Sequence, residues 1–410
     1  MNSNSRYRFV ILGIIVLIRS CLGMNWASAG PLIPLLIDTF AMSRSAAGWY
    51  ASIAPLSIAV VSLPINMIVA RLGLNKTFAV GAFLMSAGAL AFFTDEYPLL
   101  LVLRAIFAIG TALIVPVGTA ITAEWFGNNR LPIINGISMS FANLGHSLAF
   151  ATAIPIAAAI SWKAPIFVYG GFTLACAIAW AFFGREYKEE PIEAETVAPE
   201  LVQLKSELSL RQILTNRYAI LLTLSVTVSW GCQNAFNSWL PDYYYNVFNI
   251  PLAEASSIMA ISKIGGIAAS ILGGILSTRL GRRKPFLIIS GVFTGLSGLI
   301  AILFNNPAAI YTGVLLLGIF GPFFMSSIMT IPMEIPQISL RSGVIVVAMM
   351  LVGGNLGNFI SPLMVGYLVD VTGSYLPGFI TFIVLSYILL LAGILLPETG
   401  PTGQTSNSNR

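Results

Sequence analysis

The chain has 410 residues, 57% of them hydrophobic and only 9% charged, with a mean hydropathy of +0.86 and a net charge of +5. Soluble domains carry about 25% charged residues, so these charges are too few to cover a soluble surface and the apolar surplus must face lipid. A soluble globular enzyme is excluded, and so is a nucleic-acid-binding module, which needs a basic face on a soluble fold.

Twelve apolar stretches are long enough to cross about 30 Å of hydrocarbon as helices. They lie near 9–37, 47–70, 77–94, 98–123, 133–161, 164–184, 217–241, 252–278, 286–304, 308–333, 343–369 and 377–396. The first runs past Gly30 to Ile37, too long for the apolar core of a signal peptide, and no small-residue cleavage site follows. It holds Arg19, Asn25 and Trp26. The fourth holds Arg104, and the fifth holds Asn143-Leu144-Gly145-His146. Between the sixth and seventh lies the most polar internal stretch, 185–216, with an acidic start and a short amphipathic helix predicted over Leu201 to Leu214 at the membrane interface. The seventh span is rich in polar and aromatic groups, Trp230, Gln233, Asn234, Asn237 and Trp239, with Asp242 near its outer end. Some of these must line a cavity, because polar groups facing lipid are costly. The eighth holds Lys263, and the polar tail from Gly400 to Arg410 is expected to be disordered.

With the N-terminus inside, 16 of the 21 Lys and Arg residues fall on the cytoplasmic side. Arg44 and Lys163 alone fall outside, and Arg19, Arg104 and Lys263 lie within spans. The asymmetry follows the positive-inside rule and predicts a multi-pass protein of the cell membrane with both termini cytoplasmic. The three cysteines, Cys21, Cys176 and Cys232, sit in apolar segments without metal-ligand spacing and are expected to be buried thiols. No metal or cofactor is expected. There is no phosphate-cradling glycine loop, so direct ATP coupling is not expected. Leu396-Pro397-Glu398-Thr399-Gly400 mimics a cell-wall sorting signal but follows the last span instead of preceding one.

Two internal repeats join the halves. Ala70-Arg71-Leu72-Gly73-Leu74-Asn75-Lys76 recurs as Thr278-Arg279-Leu280-Gly281-Arg282-Arg283-Lys284, each copy between two apolar spans. Asn143-Leu144-Gly145-His146 is echoed by Asn355-Leu356-Gly357-Asn358 in the eleventh span. A duplicated membrane bundle is the architecture of solute carriers.

These residues resemble the major facilitator superfamily over nearly the whole chain. That family carries a basic motif, roughly Gly-x-x-x-Asp-Arg-x-Gly-Arg-Arg/Lys, between helices 2–3 and 8–9. The stretch from Gly274 through Lys284 matches it well. The earlier copy has Asn66 for the leading glycine, and the motif aspartate is Ala70 in one copy and Thr278 in the other. Arg104 followed by Gly110 resembles the family's helix 4 motif. Gly30-Pro31-Leu32-Ile33-Pro34 and Trp239-Leu240-Pro241 resemble cyanate-permease and nitrate/nitrite-type members. The resemblance implies an all-α membrane protein of twelve transmembrane helices in two pseudo-symmetric six-helix bundles, 1–184 and 217–399, working as a monomer. Arg71, Gly73, Lys76, Arg104, Gly274, Arg279, Gly281, Arg282 and Arg283 would be its gating and structural positions. The aspartate that normally helps latch the bundles is missing. The fifth and eleventh helices would flank the central cavity, making His146 and Asn358 paired polar groups facing solute.

A buried Lys or Arg costs about 2.5–3.5 kcal/mol even on the mild insertion scale. Arg19 lies ten residues into its span, ~15 Å deep, and Lys263 is similarly deep. Every one of the sixteen acidic residues falls in a loop, in the linker or near a span end. The substrate is then the counter-ion: a small inorganic anion or small carboxylate held between Arg19 and Lys263, with Asn25, Trp26, Asn234, Asn237 and Trp239 shaping the pocket. Coupling stays open between anion exchange and proton symport through His146 or Asp242. Carriage of a drug-like or neutral solute is the alternative. A membrane enzyme or receptor is remote, since one histidine and no deep acid make no catalytic cluster.

Overall fold

The computed structural model describes residues 3–62, 64–126, 131–186, 210–335 and 340–400. Among these residues the chain is helical with no strand. α1 (Ser3–Ala27) and α2 (Ala29–Phe40) form one span that bends at Ser28, three residues before Pro31. Proline has no amide proton to give the turn before it, which is where helices bend. α3 (Arg44–Val61) and α4 (Ile65–Leu72) are separated beside Pro64. α5 (Leu74–Met85) tightens into a 3-10 stretch, Ser86–Phe93. α6 (Tyr97–Phe126), α7 (Leu131–Ala159) and α8 (Ala164–Phe183) complete the first half.

After the short α9 (Leu210–Leu214) come α10 (Arg217–Val247), α11 (Leu252–Leu280) and α12 (Lys284–Leu303). α13 (Pro307–Phe323) continues as α14 (Met325–Glu334). α15 (Leu340–Thr372) precedes α16 (Leu376–Ser386) and α17 (Ile388–Leu395). Among the described residues, eleven helical segments are long and apolar enough to cross a membrane. The twelfth expected span is α3 with α4, where the break at Pro64 leaves 18 residues in the longer piece. Of the amphipathic helix expected over Leu201 to Leu214, only α9 falls within the described residues. The tail beyond Gly400 lies outside them.

Packing divides the chain into two compact units. One gathers the described residues of 1–187, 234–267 and 359–379, and the other those of 188–233, 268–358 and 380–410. The sequence expectation placed the boundary at 185–216. The first unit also takes in stretches of α10, α11 and α15, for a reason visible at its contacts. Gly30 of α2 lies on the Asn237 carbonyl, Gly48 of α3 lies on the Pro362 carbonyl, and Ser147 Oγ donates to the Ala260 carbonyl at 3.2 Å. Small residues at each crossing let the backbones meet.

The second sequence repeat has a packing role in each unit. An added Cβ at Gly145 would run into the Ser20 carbonyl oxygen, and one at Gly357 into the Thr227 carbonyl oxygen. Each glycine seats its helix, α7 or α15, on the first helix of its own half, α1 or α10. Apolar cores complete the units: Ile18, Phe78, Phe107 and Trp180 in one, Leu222, Phe324, Ile331 and Met350 in the other. Gly145→Ala is therefore expected to destabilise the protein by about 1–3 kcal/mol, the range for overpacking. Gly136→Ala, where a Cβ meets open space inside the same helix, should hold or slightly raise the thermal unfolding midpoint of the purified protein, because alanine is the better helix former.

Candidate functional site

Lys263 stands eleven residues along α11, ~16 Å from its start at 1.5 Å per residue. Its Nζ donates to Asn237 Oδ1 at 2.7 Å and lies 6.0 Å from the Phe150 ring centroid. One turn before Phe150 on α7, His146 Nδ1 is 2.7 Å from the Ala142 carbonyl oxygen. That geometry fits a proton on Nδ1 and leaves Nε2 as an acceptor. Gly23 and Gly145 allow this close approach of α1 and α7. Trp26, Gly30, Arg104, His146, Phe150, Asn234 and Asn237 all line a cavity of about 10 Å³, room for about one water. The structure thus brings together Trp26, His146, Asn234 and Asn237, and ties Lys263 to them through Asn237.

Arg19 is 6% exposed, and its Nη2 donates to the Val115 carbonyl of α6 at 2.7 Å. Its buried Nε has no acceptor among the described residues. The ion pairs among the described residues are Arg44–Asp242, Lys163–Asp95 and Arg283–Glu334, so neither Arg19 nor Lys263 has a carboxylate partner there. Two cations in the low-dielectric interior with only neutral dipoles around them are costly to keep.

Other expected residues are placed differently. Asn25 turns towards α8, its Nδ2 donating to the Cys21 carbonyl at 2.9 Å and to Thr173 Oγ1 at 3.0 Å. Trp239 is fully buried, and its Nε1 donates to the Pro362 carbonyl at 2.9 Å. Asn358 belongs to the other compact unit. Arg104 grips the bend between α1 and α2, donating to the carbonyls of Asn25 and Trp26, the latter at 2.8 Å. Its guanidinium also lies 4.9 Å from the Tyr50 ring centroid. The three cysteines are buried free thiols.

Asp242 is engaged at the end of the first unit remote from Arg71 and Lys76. Arg44 Nε lies 3.3 Å from its Oδ2, and Tyr375 Oη donates to the same oxygen at 2.5 Å. Asn246 Nδ2 donates to Oδ1 at 2.7 Å. Asp370, on α15, accepts from the backbone amides of Arg44 and Ser45 at 2.9 and 2.8 Å and caps the start of α3. Sequence reasoning missed Arg44, Asp370 and Tyr375. One signal was present: Arg44 is one of only two basic residues on the charge-poor side, and Asp242 is an acid just inside a span there.

The family model of the Major Facilitator Superfamily matches residues 15–272 and again 244–410. The chain belongs to the major facilitator superfamily. A probable sulfoacetate transporter of Cupriavidus necator is 24% identical, over 92% of this chain and 90% of its own. A nitrite extrusion protein of Bacillus subtilis is 23% identical, over 91% and 90%. The fold matches the crystal structure of a bacterial homolog of the human lysosomal transporter Spinster with a TM-score of 0.77, at 15% identity over 98% of both chains.

Within this superfamily member the two copies of the basic motif differ in chemistry. Gly73 and Gly281 both adopt positive φ, 75° and 57°, so each loop needs a residue free of a Cβ penalty. In the second copy Arg283 Nη2 meets Glu334 Oε1 at 2.8 Å, its Nη1 donates to Ser277 Oγ at 2.7 Å, and its backbone amide donates to Glu398 at 2.6 Å. Glu334 and Glu398 supply the carboxylates around the motif arginine where Thr278 replaces the expected aspartate. In the first copy the position of Arg283 is held by Asn75, which bonds to Gly184 and Trp180 instead. Arg71, Lys76, Arg279 and Arg282 are exposed. Gly274 meets open space, whereas its neighbour Gly273 lies against the Phe323 carbonyl.

A lysine ammonium cannot reproduce the planar fork that spans two carbonyls. Arg104→Lys is therefore expected to lower the thermal midpoint by several degrees while keeping the charge. An unchanged midpoint would show that Arg104 does not hold the bend.

Proposed function

We propose that this chain is a secondary transporter, not an enzyme, that carries a small anion across the cell membrane by alternating access. The carrying observation is the pair of deep cations, Arg19 and Lys263, with no carboxylate partner among the described residues. Such cations persist where a ligand, water or dipoles repay their burial. Lys263, Asn237 and His146 would meet the anion from α11, α10 and α7, and Arg19 would meet it from α1. The two relatives support this reading, since one is named for a carboxylated sulfonate and the other for nitrite.

The halves 1–184 and 217–399 would be the two moving bundles, joined by 185–216. The basic loops would face the cytoplasm, as the positive-inside rule directs. The protein would work as a monomer with no metal or cofactor. Exchange of one anion for another fits the site better than proton symport. Closing an empty cavity would leave two unpaired cations away from water, whereas a bound anion neutralises them. Asp242, the acid considered for proton coupling, is already engaged by Arg44 and Tyr375.

The test is uptake of labelled nitrite, sulfoacetate and small dicarboxylates into proteoliposomes. Wild type should accumulate at least one of them, faster when the vesicles are preloaded with the same anion. Arg19→Gln and Lys263→Gln should each cut the rate about tenfold or more, the effect of removing one charge-assisted contact. Normal uptake by both folded variants, or a wild type that moves only neutral solutes, would overturn the anion reading.

A further inference from the structure

We infer that Arg44, Asp242 and Tyr375 form a charge lock that holds the end of the molecule remote from Arg71 and Lys76 closed, and that this lock must break for solute to pass there. The inference rests on the transport reading for its purpose, but its geometry stands by itself. Arg44 belongs to the first half of the sequence, at the start of α3. Asp242 and Tyr375 belong to the second half, on α10 and just before α16. Alternating access moves one half against the other, so any contact between them at one end persists only while that end is closed.

The contact is built as a set. The Asp242 side chain is 2% exposed and that of Arg44 30% exposed. Arg44 Nε donates both to Asp242 and, at 2.8 Å, to Tyr375 Oη, and its guanidinium lies 5.3 Å from the Tyr375 ring centroid. Tyr375 Oη donates in turn to Asp242, closing a three-membered network. Beside it, Asp370 of α15 takes the two free amides at the start of α3 and the Ser45 hydroxyl. A carboxylate placed there also meets the positive end of the helix dipole. The backbones are seated without side chains between them: Gly366 lies on the Arg44 carbonyl and Gly48 on the Pro362 carbonyl.

The lock is one turn of α10 away from the lining of the small cavity. Ser238 lines the small cavity and lies one turn before Asp242 on α10. When Arg44 withdraws with α3, Asp242 keeps only Tyr375 and Asn246 and is exposed to water.

The experiment uses the full-length protein with Cys21, Cys176 and Cys232 replaced by alanine and Ser238→Cys introduced. A membrane-impermeant maleimide is added from each side, in intact cells and in inverted vesicles. In the parent, labelling from the charge-poor side should be slow. Asp242→Asn and Arg44→Gln should each raise that rate about tenfold, the population shift expected from losing a partly buried ion pair. The exchange Arg44→Asp with Asp242→Arg should bring it back towards the parent. Tyr375→Phe, which keeps the charges, covers the case in which a charge variant fails to fold, and should give a smaller rise. Unchanged or slower labelling in the folded variants overturns the lock, whatever solute the protein carries. Loss of anion uptake with unaltered labelling would leave the anion reading in place and still overturn the lock.

Discussion

The cost of charge in hydrocarbon is the constraint on which this structure turns. With few charged residues available, those within the spans or at their ends each have a specific neighbour. Arg104 is spent on the carbonyls at a helix bend, Asp242 on Arg44 and Tyr375, and Glu334 on Arg283. Arg19 and Lys263 meet only neutral dipoles. Arg104 also meets only neutral groups, but it grips two successive backbone carbonyls at once, whereas Lys263 bonds a cavity-lining side chain.

Glycine supplies the second constraint. A bundle in lipid gains little from hydrophobic association, so helices must approach closely to hold together. Gly145 and Gly357 seat equivalent helices on equivalent carbonyls in the two halves. The duplication is therefore legible as packing as well as sequence. The histidine that follows Gly145 is carried to the cavity wall by that seating. Where the halves diverge, their chemistry diverges too. Asn75 replaces the arginine found at Arg283, and among the described residues only the second copy gathers carboxylates, Glu334 and Glu398.

Much of the candidate site was readable in one dimension. Depth along a span follows from 1.5 Å per residue, which set Arg19 and Lys263 at similar depth, but that Lys263 bonds Asn237 and lies beside Phe150 is seen only in the structure. Facing direction was less accessible. Asn25 and Trp26 are neighbours in sequence, yet Asn25 bonds across to Thr173 while Trp26 lines the cavity. Rotation of 100° per residue, together with the bend at Ser28, decides between them. Trp239 had the composition of a solute contact and the environment of a packing residue: it is fully buried, and its indole nitrogen donates to the Pro362 carbonyl of α15.

The sequence by itself determined the class, the approximate spans, the duplication and the depth of each buried charge. Those follow from composition, segment length and a fixed helical rise, all of which are local quantities. Tertiary structure decided which buried charges are paired, which turn of α1 faces the cavity, and that Arg44 meets Asp242 198 residues away. Partner choice depends on which helices are neighbours and how each is rotated, and a residue's own segment carries no record of either.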